Sequence, residues 1–184
     1  MKKDKGLYQV RLGGFGGQGV ILASRILGEA LSRDGYNVLQ TQSYGIEARG
    51  GASCGEVIYG NNEINTLRVV TPDLLLALSQ GAIDEYLKNV EPGGFVFYDT
   101  YLIKEKITSE NHKVYGLPFT EIAISEMGNE IYTNLIALGF INGVTKMVNQ
   151  NSLEDALIEQ IKSNKENNCK AMQKGYDEAI KMTN

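Results

Sequence analysis

"RLGGFGGQGVILASRIL", residues 11–27, joins the end of one pattern to the start of another through five glycines. Ahead of it, "LYQVRLGG" (7–14) alternates Tyr8, Val10 and Leu12 with Gln9 and Arg11, the period of a strand. Behind it, Val20, Ala23, Leu27, Ala30 and Leu31 recur at helical spacing until Gly35 in "RDGYN" offers a stop. A strand that enters a helix through a glycine turn opens a βαβ unit, so this stretch decides the fold class.

Beyond it, "YNVLQTQ" (36–42) reads as a second strand, which a right-handed crossover predicts to be a parallel neighbour of the first. "SYGIEARGGAS" (43–53) is a polar, glycine-rich loop of a length usually found in functional or mobile segments, and the strand-like "CGEVIYG" (54–60) follows. "PDLLLALSQGAIDEYLKNV" (72–90) predicts a buried strand over 73–78, a break at Ser79-Gln80-Gly81, then a helix. "EPGGFVFYDT" adds a turn and a strand, "KVYGLP" a short strand, and "FTEIAISEMG" a short helix beginning near Pro118. From Ile131 onward the periodicity predicts three helices with no strand between them.

The expected fold is α/β: an open, mostly parallel Rossmann-like sheet with helices on both faces and a C-terminal helical segment, about 131–184. At 184 residues, with 42% hydrophobic positions, the chain is expected to form one domain. In such sheets ligands sit at the carboxyl ends of the strands, so residues 13–19, 43–52 and 79–81 are expected to converge there.

Composition removes several function classes. A net charge of -4 and a pI near 5.1, with no cluster of Lys and Arg, argue against nucleic acid or an anionic membrane as partner. "MKKDKGLYQV" runs into a strand pattern rather than a signal core, and "LLLAL" is too short to span a bilayer, so a cytoplasmic protein is expected. Cys54 and Cys169 lie far apart without CxxC or Cys/His spacing, which predicts no metal or iron–sulfur site in this chain and a small buried hydrophobe at each position. His112 in "TSENHKV" reads as a solvated loop histidine. No nucleophile–base order, carboxylate pair or metal constellation stands out, so no catalytic residue is assigned and the chain reads as a binder.

Gly14-x-Gly16-x-x-Gly19 has the spacing and context of a dinucleotide fingerprint, in which a backbone without Cβ atoms and a helix N-terminus receive phosphate. Its usual companion is an acidic residue at the end of the second strand, and "VLQTQ" has none. The Gly-Lys-Ser/Thr ending of a nucleoside triphosphate loop is missing too. Ordinary NAD(P) binding and triphosphate hydrolysis are therefore disfavoured. Glycines that only let the helix pack on the sheet are the alternative, although Gly17, outside the fingerprint, favours a close approach by a ligand or another chain. In the second loop, Tyr44, Glu47 and Arg49 are either a surface ion pair with a turn or part of a ligand or interface site.

"GFGGQGVILASRILGEA" (14–30), "SYGIEARGGAS", "DLLLALSQ" (73–80) and "EPGGFVFYD" (91–99), at these intervals, resemble the gamma subunit of 2-oxoacid:ferredoxin oxidoreductases. The resemblance covers about residues 7–150, with the three C-terminal helices matching loosely. It implies a noncatalytic gamma subunit in a complex that converts a 2-oxoacid and coenzyme A to acyl-CoA, CO2 and reduced ferredoxin. It also implies that thiamine diphosphate, Mg and iron–sulfur clusters sit on partner alpha, beta and ferredoxin-like delta subunits, with ferredoxin or flavodoxin as acceptor.

By the same resemblance, Gly14, Gly16, Gly17, Gln18 and Gly19 are expected to hold CoA, whose 3′-phospho-ADP suits a phosphate-friendly turn without a ribose-reading acid. Ser43, Tyr44, Gly45, Glu47, Arg49, Gly50 and Gly51 are expected to meet CoA or substrate, or to shape a subunit interface. The form "SYGIEARGG" looks closest to 2-oxoglutarate enzymes, with pyruvate and branched-chain 2-oxoacids as alternatives. Uncovered subunit surface predicts a homodimer for the isolated chain. Two other readings stay open: a free-standing nucleotide or S-adenosylmethionine enzyme, and an assembly module whose glycine loops receive a neighbouring chain.

Overall fold

The alternation along residues 7–14 divides the interior in two. Val10 and Leu12 join one buried cluster, while Gly13 between the two faces lies against Ala82 and Tyr86 on the opposite side. The computed structural model describes residues 5–43 and 53–183. Six strands, β1 (Leu7–Gly14), β2 (Asn37–Ser43), β3 (Ser53–Gly60), β4 (Leu74–Ala77), β5 (Phe95–Asp99) and β6 (Lys113–Leu117), form one sheet in the order β2-β3-β1-β4-β5-β6. β1, β4, β5 and β6 pair in parallel, and β3 alone is reversed, antiparallel to both β1 and β2.

Helices cover both faces. On one, α1 (Val20–Arg33), α3 (Phe119–Met127), α4 (Thr133–Thr145), α5 (Gln150–Gln160) and α6 (Lys165–Thr183) bury the larger cluster with Leu74, Leu76 and Phe97. On the other, α2 (Gln80–Tyr86) covers Cys54, Leu75, Ala77, Val96 and Tyr98. The α/β expectation holds, and so do the three C-terminal helices. α1 ends as its sequence predicts: Gly35 takes φ 89°, its N–H donates to Ser32 O at 3.0 Å, and the Tyr36 N–H reaches Leu31 O at 3.2 Å, a Schellman closure. Among the described residues no helix is long and apolar enough to cross a membrane.

One expectation of topology is corrected. β2 does not pair with β1, because β3 lies between them. The chain leaves β2 and returns directly as an antiparallel strand, and α1 packs on that returning strand. Gly55 of β3 makes this possible, since a Cβ there would collide with Ser24 of α1. A crossover rule fixes handedness but not which later strand slips into the gap.

α4 is buried on nearly all sides and crosses α6 at backbone contact. A Cβ on Gly139 would strike the Met172 carbonyl oxygen, and one on Gly175 would strike the Ile136 carbonyl oxygen. Small residues on both helices thus set their separation.

Candidate functional site: the glycine turn at the carboxyl edge

The turn between β1 and α1 is shaped by glycines that do different work. Gly17 (φ 94°) and Gly19 (φ 71°) occupy the left-handed region, where a side chain is strained. Gly19 is also the N-cap of α1, without a side-chain cap. A Cβ on Gly14 would lie 2.6 Å from Gln18 Oε1, and one on Gly19 would collide with Asn134 Nδ2. Around Gly16 and Gly17, by contrast, an added Cβ meets nothing within 4 Å. The inner glycines accommodate the protein's own side chains, and the outer pair faces open space.

Gln18 is engaged at both ends. Its Oε1 accepts the Phe15 backbone N–H at 2.6 Å, and its Nε2 donates to the Leu78 carbonyl at 2.9 Å, where β4 ends. Leu78 N–H donates to Gly13 O at 2.9 Å and a Cβ on Gly81 would lie 3.9 Å from the Phe15 ring, so residues 13–19 meet the expected segment 79–81, with the hydrogen bonds made one residue earlier, at Leu78. Ser79 caps α2 by accepting the Ala82 N–H at 3.2 Å. Ser43 pairs with Cys54 and Ser53 pairs with Gly14, which brings both ends of the β2–β3 connection to the same edge. Ser43 itself is exposed. Tyr44, Gly45, Glu47, Arg49, Gly50 and Gly51 lie outside the described residues.

Two anchors at this edge were not anticipated. Asn134, at the start of α4, donates from Nδ2 to Gly19 O at 3.0 Å. Asp99, fully buried at the end of β5, accepts Thr120 Oγ1–H at 2.6 Å, Thr120 N–H at 3.0 Å and Tyr101 N–H at 2.8 Å. Thr133 Oγ1 lies 3.3 Å from Thr120 Oγ1, linking α3 and α4. A lone acid at the end of an apolar strand was the available signal for Asp99; Asn134 carried none. Phe15 (46% exposed), Tyr101, Leu102 and Ile131 (64%) leave apolar surface on the loops and helix starts along this rim.

Behind the turn, on the α2 side, Arg11 is buried. Its Nη2 lies 2.6 Å from Glu56 Oε1 and 2.5 Å from Val69 O, and its guanidinium sits 4.8 Å from the Tyr86 ring centroid. Cys54 belongs to the same cluster. Burial pushes its thiol pKa up, against a smaller lowering by a hydrogen bond with Tyr86. Cys169 is only partly buried, on α6, among the residues packed against the other cluster. The two thiols lie on opposite sides of the sheet, a placement that does not fit shared ligation of an iron–sulfur cluster. His112 is half-buried rather than solvated: its ring nitrogens lie 2.8 Å from Ser109 Oγ and 3.2 Å from Val90 O.

The family profile described as pyruvate ferredoxin/flavodoxin oxidoreductase matches residues 9–178, reaching through the C-terminal helices. 2-Oxoglutarate synthase subunit KorC of Methanocaldococcus jannaschii is 41% identical over 174 residues, 93% of each chain. The crystal structure of a keto/oxoacid ferredoxin oxidoreductase gamma subunit from Geobacter sulfurreducens superposes with a TM-score of 0.86 at 36% identity, covering 96% of this chain and 98% of that one. The same fold, with a TM-score of 0.86 at 22% identity, covers 97% of this chain and 32% of a 2-oxoglutarate:ferredoxin oxidoreductase chain from Magnetococcus marinus, solved with 2-oxoglutarate, coenzyme A and succinyl-CoA bound. On the extent of the profile match and the near full-length identity, this chain belongs to the pyruvate ferredoxin/flavodoxin oxidoreductase family.

Proposed function

We propose that this chain is the gamma subunit of a 2-oxoglutarate:ferredoxin oxidoreductase, which converts 2-oxoglutarate and CoA to succinyl-CoA and CO2 while reducing ferredoxin or flavodoxin. The observation that carries the reading is the 41% identity to a KorC subunit across 93% of both chains. Alpha, beta and delta subunits hold the thiamine diphosphate, Mg and iron–sulfur clusters. The chain is a single domain of a cytoplasmic complex, and self-association covers its apolar rim when it is isolated.

Within that complex the carboxyl edge contributes a binding surface. The outer glycines Gly16 and Gly17 meet the phosphate-bearing part of CoA, with Gly14, Gln18 and Gly19 shaping the turn. The β2–β3 loop, from Ser43 through Tyr44, Gly45, Glu47, Arg49, Gly50 and Gly51, contacts CoA or a partner subunit. Support comes from the open space around Gly16 and Gly17, the start of α1 without a side-chain cap, and the exposed Phe15.

The test is an anaerobic pull-down of the tagged chain from its own cells, assayed for CoA-dependent oxidation of 2-oxoglutarate and of pyruvate. Cluster-bearing partners with 2-oxoglutarate activity are expected. Pyruvate activity alone would reassign the substrate, and recovery of the chain without partners would overturn the subunit reading.

A further inference from the structure

Gln18 sits where a ligand-contacting residue of a glycine turn is looked for, yet both ends of its carboxamide are already hydrogen-bonded within the chain. Oε1 takes the N–H of Phe15, the amide directly after the first fingerprint glycine, at 2.6 Å, and Nε2 is held by Leu78 O at 2.9 Å. Gly14 is glycine for the same reason, since a Cβ there would stand 2.6 Å from Gln18 Oε1. In a dinucleotide turn the first glycine makes the tight turn and the second lets the backbone approach the pyrophosphate. Here the space at the first glycine is taken by Gln18, while the space at the second, Gly16, stays open.

We infer that Gln18 is a positioning residue: its amide fills the inner acceptor position of the turn and locks the β1–α1 loop to the end of β4, leaving contact with ligand to Gly16 and Gly17. The inference rests on the proposal that the turn meets CoA, and it says how Gln18 serves that contact without making it. The Phe15 amide is already spoken for, and displacing Gln18 breaks two hydrogen bonds at once. Leu78 is thus tied to the turn twice, by its own N–H to Gly13 O and by its carbonyl to the Gln18 side chain.

The experiment is a CoA titration of the full 15N-labelled chain followed by NMR. The Gly16 and Gly17 amide signals are expected to move, while the Gln18 side-chain amide and the Phe15 amide stay in place. Movement of the Gln18 side-chain signals in step with saturation would make it a ligand contact and overturn the inference. In the assembled complex, Gln18→Met, which keeps length and loses both hydrogen bonds, is expected to raise KM for CoA by about tenfold with kcat unchanged. A fall in kcat at unchanged KM would count against it.

Failure of the CoA reading looks different: CoA then moves neither Gly16 nor Gly17, and Gly17→Val leaves KM unaltered. The placement of Gln18 is still judged in that case by hydrogen exchange at Phe15. Exchange should speed up about tenfold in Gln18→Met while the Ala23 amide inside α1 stays protected; an unchanged Phe15 rate would reject the internal bond.

Discussion

Asn134 donates to the carbonyl of Gly19 at 3.0 Å across 115 positions of sequence, so the start of α4 braces the start of α1. Asn134 is buried, and its Oδ1 also accepts the Leu135 N–H at 3.0 Å. Asn134→Ala is expected to cost about 1–2 kcal/mol, seen as a Tm lower by about 2–8 °C in thermal unfolding. Asn134→Asp, which replaces the donor with a buried charge facing a carbonyl, should cost more.

The crossing of α4 and α6 leaves no room for a methyl group. Gly139→Ala and Gly175→Ala each place a Cβ against a backbone oxygen of the other helix. Each is expected to destabilise by at least about 1–3 kcal/mol, read as a lower urea midpoint at unchanged slope. Gly93→Ala, at a loop position with φ 82° and no neighbour near an added Cβ, carries only backbone strain and serves as the milder control.

Arg11 and Glu56 form an ion pair whose side chains are 10% and 12% exposed. Glu56 also accepts Thr41 Oγ1–H at 3.2 Å and Val69 N–H at 3.4 Å, so the pair holds the segment after β3 against the sheet. Arg11→Met is expected to cost about 2–3 kcal/mol by leaving the half-buried Glu56 carboxylate without its cation. In a denaturant series Arg11→Met/Glu56→Gln should recover part of that loss; no recovery would mean that Arg11 acts through packing alone.

Alkaline stability follows from Tyr59 and Tyr86. Burial raises the pKa of both phenols far above the ordinary value near 10. The folded state therefore holds protons that the unfolded chain releases, and the stabilisation is complete below pH 10 and is lost as pH rises beyond it. Tyrosinate absorbance is expected to show these phenols ionising only with loss of the native circular dichroism, and Tyr59→Phe should flatten the decline above pH 10. Cys54, raised by burial as well, should resist iodoacetamide at pH 8 until the chain unfolds.

Local chemistry was legible in the amino-acid sequence where the deciding contacts are local. The period-two run of residues 7–14, the helical spacing from Val20 and the Gly35 stop each concern neighbours within a few residues, and all three describe the structure. The convergence of residues 13–19 with 79–81 followed from sheet direction alone. The insertion of β3 was not legible, because nothing in "CGEVIYG" states which strand it will lie beside. Arg11 sat on the polar side of its strand and was read as such; only the covering of that face by α2 and the segment around Val69 turns it into a buried anchor.

The glycine turn divides in the same way. Its position between strand and helix was visible, and so was the missing acid after β2. Which glycine serves which purpose was not, since Gly14 answers to Gln18 and Gly19 answers to a residue in the last third of the chain. A motif written as spacing cannot separate a glycine that admits a ligand from one that admits an asparagine.

The reversed course of β3 bears on how such proteins diversify. A connection between two antiparallel neighbours can gain or lose residues without forcing the sheet to re-register, because both of its ends stay on the same rim. The turn after β1 has no such freedom, gripped as it is by Gln18 and Asn134. Lengthening the connection between Ser43 and Ser53 is thus expected to leave the sheet register intact, whereas an insertion into the turn beside it is expected to unseat the start of α1.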